Sequence, residues 1–334
     1  MSAALSFGKN FATSIVRQNL GKVKKIGILQ PFSSGTIKIL KLDEAFMAYN
    51  HDIWRFLTSI EHEYKYAGKW GAKGEKRQPR KKATPEQIRL QNQRNKENRT
   101  RRLIKANFIE KDLWCCLKYP AGTRIAIEDV KSDKKHFLEY MRNAYKKRGS
   151  PLKWIARMEV GERGGIHFHI LINRIQDADL IITDAWSKAL KKSAAQCSRT
   201  DGLVDYRSVY ESGDMKALAE YMCKQPKEDS PEYEQISLFE KEEQKALLSL
   251  TTSRNLIRPE PEHEEKSHYT MRKIIENGPT PTPGYYIDMD SLYIGVNPYT
   301  GYSYCRYTEI KLPENRIKTR CGTKLHPPRG DDIT

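Results

Sequence analysis

Between residues 112 and 225 the chain switches repeatedly between two hydrophobic rhythms. A period of two, the signature of a half-buried strand, runs through "DLWCCLKY" (112–119), "LKWIARMEV" (152–160), "IHFHILIN" (166–173) and "LVDYRSVY" (203–210). A period near 3.6 occupies the intervening stretches. "SDKKHFLEYMRNAYKKRG" (132–149) places Phe137, Tyr140, Met141 and Ala144 on one side, and "TDAWSKALKK" (183–192) continues in kind. "DMKALAEYMCK" (214–224) has Asp214 as an N-cap and Pro226 as a stop. The order strand, helix, strand, strand, helix, strand, helix predicts an α+β domain over 108–227, with one mostly antiparallel sheet and helices on one face.

Outside that domain the pattern is weaker. "TIKILKL" (36–42) reads as a short strand, and "DEAFMAYNHDIWRFLTSIEHEY" (43–64) as a helix with Phe46, Tyr49, Ile53, Trp54 and Phe56 on its apolar side, so 1–75 is expected to be a partly helical lead-in. Residues 76–107 form a basic loop and then a polar helix opened by Thr84 as N-cap, Pro85 at the first position and Gln87 at the third. Residues 228–278 are an acid-rich helical connector. After the stiff "PTPTPG" (279–284), residues 279–334 form an extension of aromatic strands turned at "NPYTG", whose rings are expected to pack a small sheet rather than stack on bases.

Charge narrows the partners. Of 334 residues, 59 are Lys or Arg and 42 Asp or Glu, a net charge of +17, which points to a polyanion and first of all to nucleic acid. Lys76, Arg77, Arg80, Lys81, Lys82, Arg99, Arg101 and Arg102 concentrate that charge and are the expected phosphate contacts. No apolar run approaches the ~20 residues of a membrane span, and the first residues lack the apolar core of a signal peptide. The expected location is therefore the cytoplasm, with no membrane partner. Six cysteines (115, 116, 197, 223, 305 and 321) follow neither a zinc spacing nor a disulfide framework, and reduced thiols are expected.

The candidate chemistry sits in "RMEVGERGGIHFHILIN". His167 and His169 have the same parity, so both leave one face of the strand while Ile166, Phe168 and Ile170 leave the other. A hairpin through "GERGG" pairs the preceding strand antiparallel. Glu159 then opposes His167 in one register and His169 in the next, and shares their face in both. Two imidazoles and a carboxylate form a competent divalent site, suited to Mg, Mn or Zn. Glu162, in the turn, is a weaker third ligand. A metal beside a phosphate needs a nucleophile, and the helix "DMKALAEYMCK" offers Tyr221 with Lys224 three residues on. The same spacing recurs in "YAGK" (66–69), so only order and company favour Tyr221.

"HFH" followed about fifty residues later by a helical "YMCK" resembles the HUH endonucleases. "EVGERGGIHFHILI" is similar to the rolling-circle replication initiators (Rep) of small single-stranded DNA bacteriophages, especially the gokushovirus and filamentous-phage-like group. The resemblance spans about residues 80–260. It implies an HUH/RRM-like nuclease domain, with Mg or Mn held by His167, His169 and Glu159. It also implies attack by Tyr221 on single-stranded origin DNA, a covalent 5′-phosphotyrosine, a free 3′-hydroxyl for host replication machinery, and charge balance from Lys224. The chain departs from the family in two places. "LWCCLKY" replaces a Thr-rich first motif, and the second tyrosine of some relatives is absent, so strand exchange would need a second subunit or a water-mediated step. A plasmid relaxase or single-tyrosine transposase shares this chemistry, but the modest length and the lack of a "GxxxxGK" helicase signature favour a small initiator. A non-enzymatic single-stranded nucleic-acid-binding protein with structural histidines is the alternative from another class.

Overall fold

The computed structural model describes residues 47–67, 83–194, 202–209, 215–227, 230–297 and 302–312. In chain order these form β1 (Met47–Arg55), β2 (Ser59–Tyr66), α1 (Pro85–Asn107), β3 (Leu113–Lys118), α2 (Ile127–Lys147), β4 (Trp154–Val160), β5 (Ile166–Ile172) and α3 (Ala178–Lys191). They continue with β6 (Val204–Ser208), α4 (Lys216–Cys223), α5 (Pro231–Ser237), α6 (Lys241–Leu248), β7 (Leu250–Thr252), β8 (Glu262–Ser267), α7 (His268–Asn277), β9 (Tyr285–Val296) and β10 (Ser303–Lys311). The chain divides into two compact units, residues 81–260 and residues 1–80 with 261–334. No helix among the described residues is long and apolar enough to cross a membrane.

Residues 81–260 build the expected α+β domain around a sheet of order β6-β3-β5-β4-β7, antiparallel throughout. One face carries α2 and α3. Their stripes, Ile127, Val130, Phe137, Leu138 and Met141 from the first and Ile182, Ala185, Trp186 and Ala189 from the second, close over Leu117, Met158, Phe168 and Ile170 in the main core. Helix α2 begins at Ile127, five residues before the apolar rhythm alone placed it, because Ile127 and Val130 extend the buried stripe and Glu128 and Asp129 suit the positive N-terminal end. The opposite face, expected bare, is partly covered: Ile104 and Phe108 at the end of α1 and Ala219 and Met222 of α4 pack on Ile155 and Leu171. The remainder of that face stays open for chemistry.

Helix α1 starts as its sequence dictates. Thr84 Oγ1 accepts from Gln87 N while Gln87 Oε1 accepts from Thr84 N, with Pro85 in the first turn. Only Thr100, Ile104 and Asn107 of its 23 residues are buried, so its hold on the domain lies at its C-terminal end.

The other unit corrects the N-terminal expectation. Residues 47–66 are not a helix but the hairpin β1–β2, in a five-stranded antiparallel sheet of order β8-β1-β2-β10-β9. Tyr49, His51 and Ile53 alternate inward, a period of two that the clustered aromatics obscured. The strands that complete the sheet, β8 and β10, come from more than two hundred residues downstream. Phe46, residues 36–42 and the tip of "NPYTG" (298–301) lie outside the described residues. The aromatic hairpin β9–β10 forms as expected, and Gly295 is required there because a Cβ would sit 2.9 Å from the Tyr304 ring that crosses it. Helix α7, capped by Ser267, packs Met271 and Ile274 on Tyr49, Tyr64 and Tyr307.

A polar chain is buried in this sheet. His51 Nε2 lies 2.9 Å from His62 Nδ1, His51 Nδ1 lies 3.2 Å from a Glu264 carboxylate oxygen, and His62 Nε2 lies 3.6 Å from Glu309. Burial, reinforced by His62 and by Lys266 against the pull of Glu264, holds the His51 imidazole down at about 4, below its ordinary 6.5. Protons therefore bind the unfolded chain preferentially. Stability is full above pH 6.5 and declines as pH falls from there toward 4. We expect hydrogen-exchange protection of β1 and β2 amides to weaken across that window and His51→Gln to flatten the dependence; unchanged protection between pH 7 and 4.5 would exclude His51 as the responsible group.

Candidate metal and nucleophile site

The open face of the 81–260 sheet gathers the site from three strands and one helix. In β5, His167 and His169 project to this face, and β4 pairs beside them with Glu159 directly opposite His167 and Arg157 opposite His169. The "GERGG" turn, closed by Gly161 N to Gly165 O at 2.9 Å, sets that register. On the other flank, β3 places Cys116 opposite His169 and Lys118 opposite His167. Asp205 of β6 opposes Cys116 and is ion-paired with Lys118.

Tyr221 reaches into this group from α4. Its hydroxyl donates to Glu159 Oε2 at 3.1 Å and lies 2.9 Å from His169 Nε2. Glu159 Oε2 is itself 2.9 Å from His169 Nε2 and 3.7 Å from His167 Nε2. The His169 ring is held between aromatic neighbours. Trp114 stacks on it at 5.3 Å and 7°, while Tyr221 meets it edge-on at 5.0 Å. Tyr221 remains 39 % exposed, so an incoming strand can reach it, whereas His169 is 8 % exposed.

The charges are tightly coupled. Burial alone would raise the Glu159 carboxyl, but hydrogen bonds from His167 and His169 and the charges of His169 and Arg157 outweigh it and hold it far below the usual carboxylate range. The Tyr221 phenol is pushed above its ordinary value by burial and then by the Glu159 charge; Arg157 opposes the shift. Burial likewise pushes the Cys116 thiol up to about 11.

The donor set fits a divalent ion. Ligand atoms of Cys116, His167 and His169 lie within 4.8 Å of one another, and Glu159 adds a carboxylate oxygen against both imidazoles. Imidazole and carboxylate suit Mg, Mn or Zn, while a thiol favours the softer of these. Cys116 was missed in the sequence. Its parity in β3 was legible, but nothing local reveals that β3 pairs with β5 in this register.

The structure separates the remaining candidates. Helix α4 ends at Cys223, and Lys224 leaves helical geometry at φ −47° and ψ 129°, so the shared helical face inferred for Tyr221 and Lys224 does not exist. Lys224 is exposed and lines a small cavity together with Glu159 and Arg157. The expected cap Asp214 lies outside the described residues; the position before the helix is Met215, with φ 54°. Glu162 sits in the turn. Arg99 is exposed on α1 and Arg101 and Arg102 are half-buried there, whereas Lys76, Arg77, Arg80, Lys81 and Lys82 lie outside the described residues.

Residues 112–229 match a family model described as a replication-associated protein of the ORF2 type. That span includes Cys116, Glu159, His167, His169 and Tyr221, and the match supports a role in replication initiation of the Rep type. No curated protein and no solved structure matches the chain.

Proposed function

From a Rep-type match that spans every element of this site, we propose that the protein is a metal-dependent endonuclease that nicks single-stranded DNA at a replication origin and so starts rolling-circle replication. The observation that carries the reading is the convergence of Tyr221 Oη on His169 Nε2 at 2.9 Å and Glu159 Oε2 at 3.1 Å, on a half-open face of a strongly basic chain. Tyr221 Oη forms a bond to the scissile phosphorus as the bond from phosphorus to the 3′-oxygen breaks. The phenol proton leaves along the hydrogen bond to Glu159 Oε2, and the departing 3′-oxygen takes up a proton. The products are a 5′-phosphotyrosine and a free 3′-hydroxyl, which host replication machinery in the bacterial cytoplasm would extend.

His167, His169 and Glu159 would hold a Mg or Mn ion, with Cys116 as a further donor, and the ion would polarise the non-bridging phosphate oxygens. Arg99, Arg101, Arg102 and the basic run before α1 would neutralise phosphates along the strand, and Lys224 would add charge at the rim. With one tyrosine in the site, resealing would draw on a second subunit or on water.

The test is incubation with labelled single-stranded DNA containing the origin and Mn²⁺, followed by a denaturing gel and peptide mass mapping. A covalent adduct on Tyr221 that EDTA prevents is the expected result. Tight binding without any adduct would overturn the reading and leave a binding protein with structural histidines.

A further inference from the structure

The helix that carries Tyr221 lacks the means to hold itself in place. Helix α4 has eight residues, its N-cap position Met215 is left-handed at φ 54°, and no side chain caps that end. A helix this short is marginal on its own, and its last carbonyls have no partner within the helix. Two side chains from outside satisfy them. Arg157 Nη1 donates to Tyr221 O at 2.9 Å and to Met222 O at 3.4 Å, and Gln93 Nε2 of α1 donates to Cys223 O at 2.9 Å.

Arg157 is 4 % exposed and sits two residues before Glu159 on β4, so the two share a face. One strand therefore grips Tyr221 at both ends, the hydroxyl through Glu159 and the backbone carbonyl through Arg157. The buried guanidinium also places positive charge at the negative end of a helix. Its Nε has no hydrogen-bond partner among the described residues, so the group is not arranged for maximal hydrogen bonding. Its bonds are spent on the two residues at the nucleophile.

We propose that Arg157, supported by Gln93, is the positioning residue that aligns Tyr221 Oη with the scissile phosphate. The proposal rests on the nickase reading for its consequence, though not for its geometry. A displacement of about 1 Å at a reacting atom costs on the order of 100-fold in rate. Arg157→Met should therefore lower the adduct-forming rate at saturating DNA by roughly 10- to 100-fold, with Kd for DNA and for Mn²⁺ unchanged. Arg157→Lys, which keeps the charge but loses the fork, should recover part of that loss. Gln93→Ala, on a mostly exposed helix, should give a milder loss of the same kind and guards against a fold-level failure of the Arg157 variants. A merely structural role would weaken DNA and metal binding together with the rate.

Hydrogen exchange without DNA provides a readout independent of the chemistry. In Arg157→Met, amides of 216–224 should exchange faster while those of β3 and β5 do not change. Unchanged exchange in 216–224, or a wild-type rate at saturating DNA, would overturn the proposal. If the wild-type protein forms no adduct at all, the nickase reading fails, and the exchange result still decides whether Arg157 holds the helix.

Discussion

Tyr221→Phe should leave no detectable covalent adduct with origin DNA under conditions in which the wild-type protein is labelled, a loss of about 10⁴-fold or more in joining. The substitution removes one oxygen and little else. The phenyl ring can keep its edge-on contacts with Trp114 at 5.8 Å and His169 at 5.0 Å, so the fold and the metal donors should survive. What disappears is the atom that approaches both Glu159 and His169, and the described part of the site contains no second hydroxyl in its position. DNA affinity should stay within about twofold, because phosphate contacts come from basic side chains elsewhere. An adduct that persisted in this variant and mapped to another tyrosine would remove Tyr221 from the mechanism while sparing the metal site.

Trp186→Ala should produce the largest loss of stability, about 3–5 kcal/mol. Trp186 is 1 % exposed and meets Tyr119, Phe137 and Phe168 edge-on at 5.4, 5.9 and 5.9 Å. Its indole Nε1 donates to Lys118 O at 2.9 Å, so truncation also removes the partner of that carbonyl. Phe168 stands between the two histidines in β5 and points to the opposite face, so a void beneath it loosens the strand that carries both ligands. Exchange free energies of β5 amides under native conditions measure this directly. A drop below about 1 kcal/mol would mean that α2 and α3 collapse into the space.

What could be read from the chain was local. Pairing within the β4–β5 hairpin depends on a short turn and a period of two, and this placed Glu159 beside the histidines before any partner strand was known. The start of α1 is likewise written in Thr84, Pro85 and Gln87, whose hydrogen bonds close within one turn. The hairpin of residues 47–66 was misread because its strand character is stabilised by β8 and β10, and loop closure over such distances leaves no mark on neighbouring residues. Cys116 and Arg157 were legible only as strand residues of a given parity.

The amino-acid order by itself determined the α+β alternation, the shared face of His167, His169 and Glu159, and the basic balance, since each follows from side-chain periodicity, an adjacent turn or a sum of charges. Tertiary structure decided that Tyr221 meets Glu159 and His169, that Cys116 joins the metal donors, that Arg157 rather than a neighbour of Tyr221 in the helix secures it, and that Lys224 falls outside that helix. Those outcomes depend on the register between β3 and β5 and on where α1 and α4 settle on the sheet, and these are set by burial of Ile104, Ile155, Leu171 and Met222 against one another. Packing between distant segments is a property of their combined surfaces, which no single stretch of the chain contains.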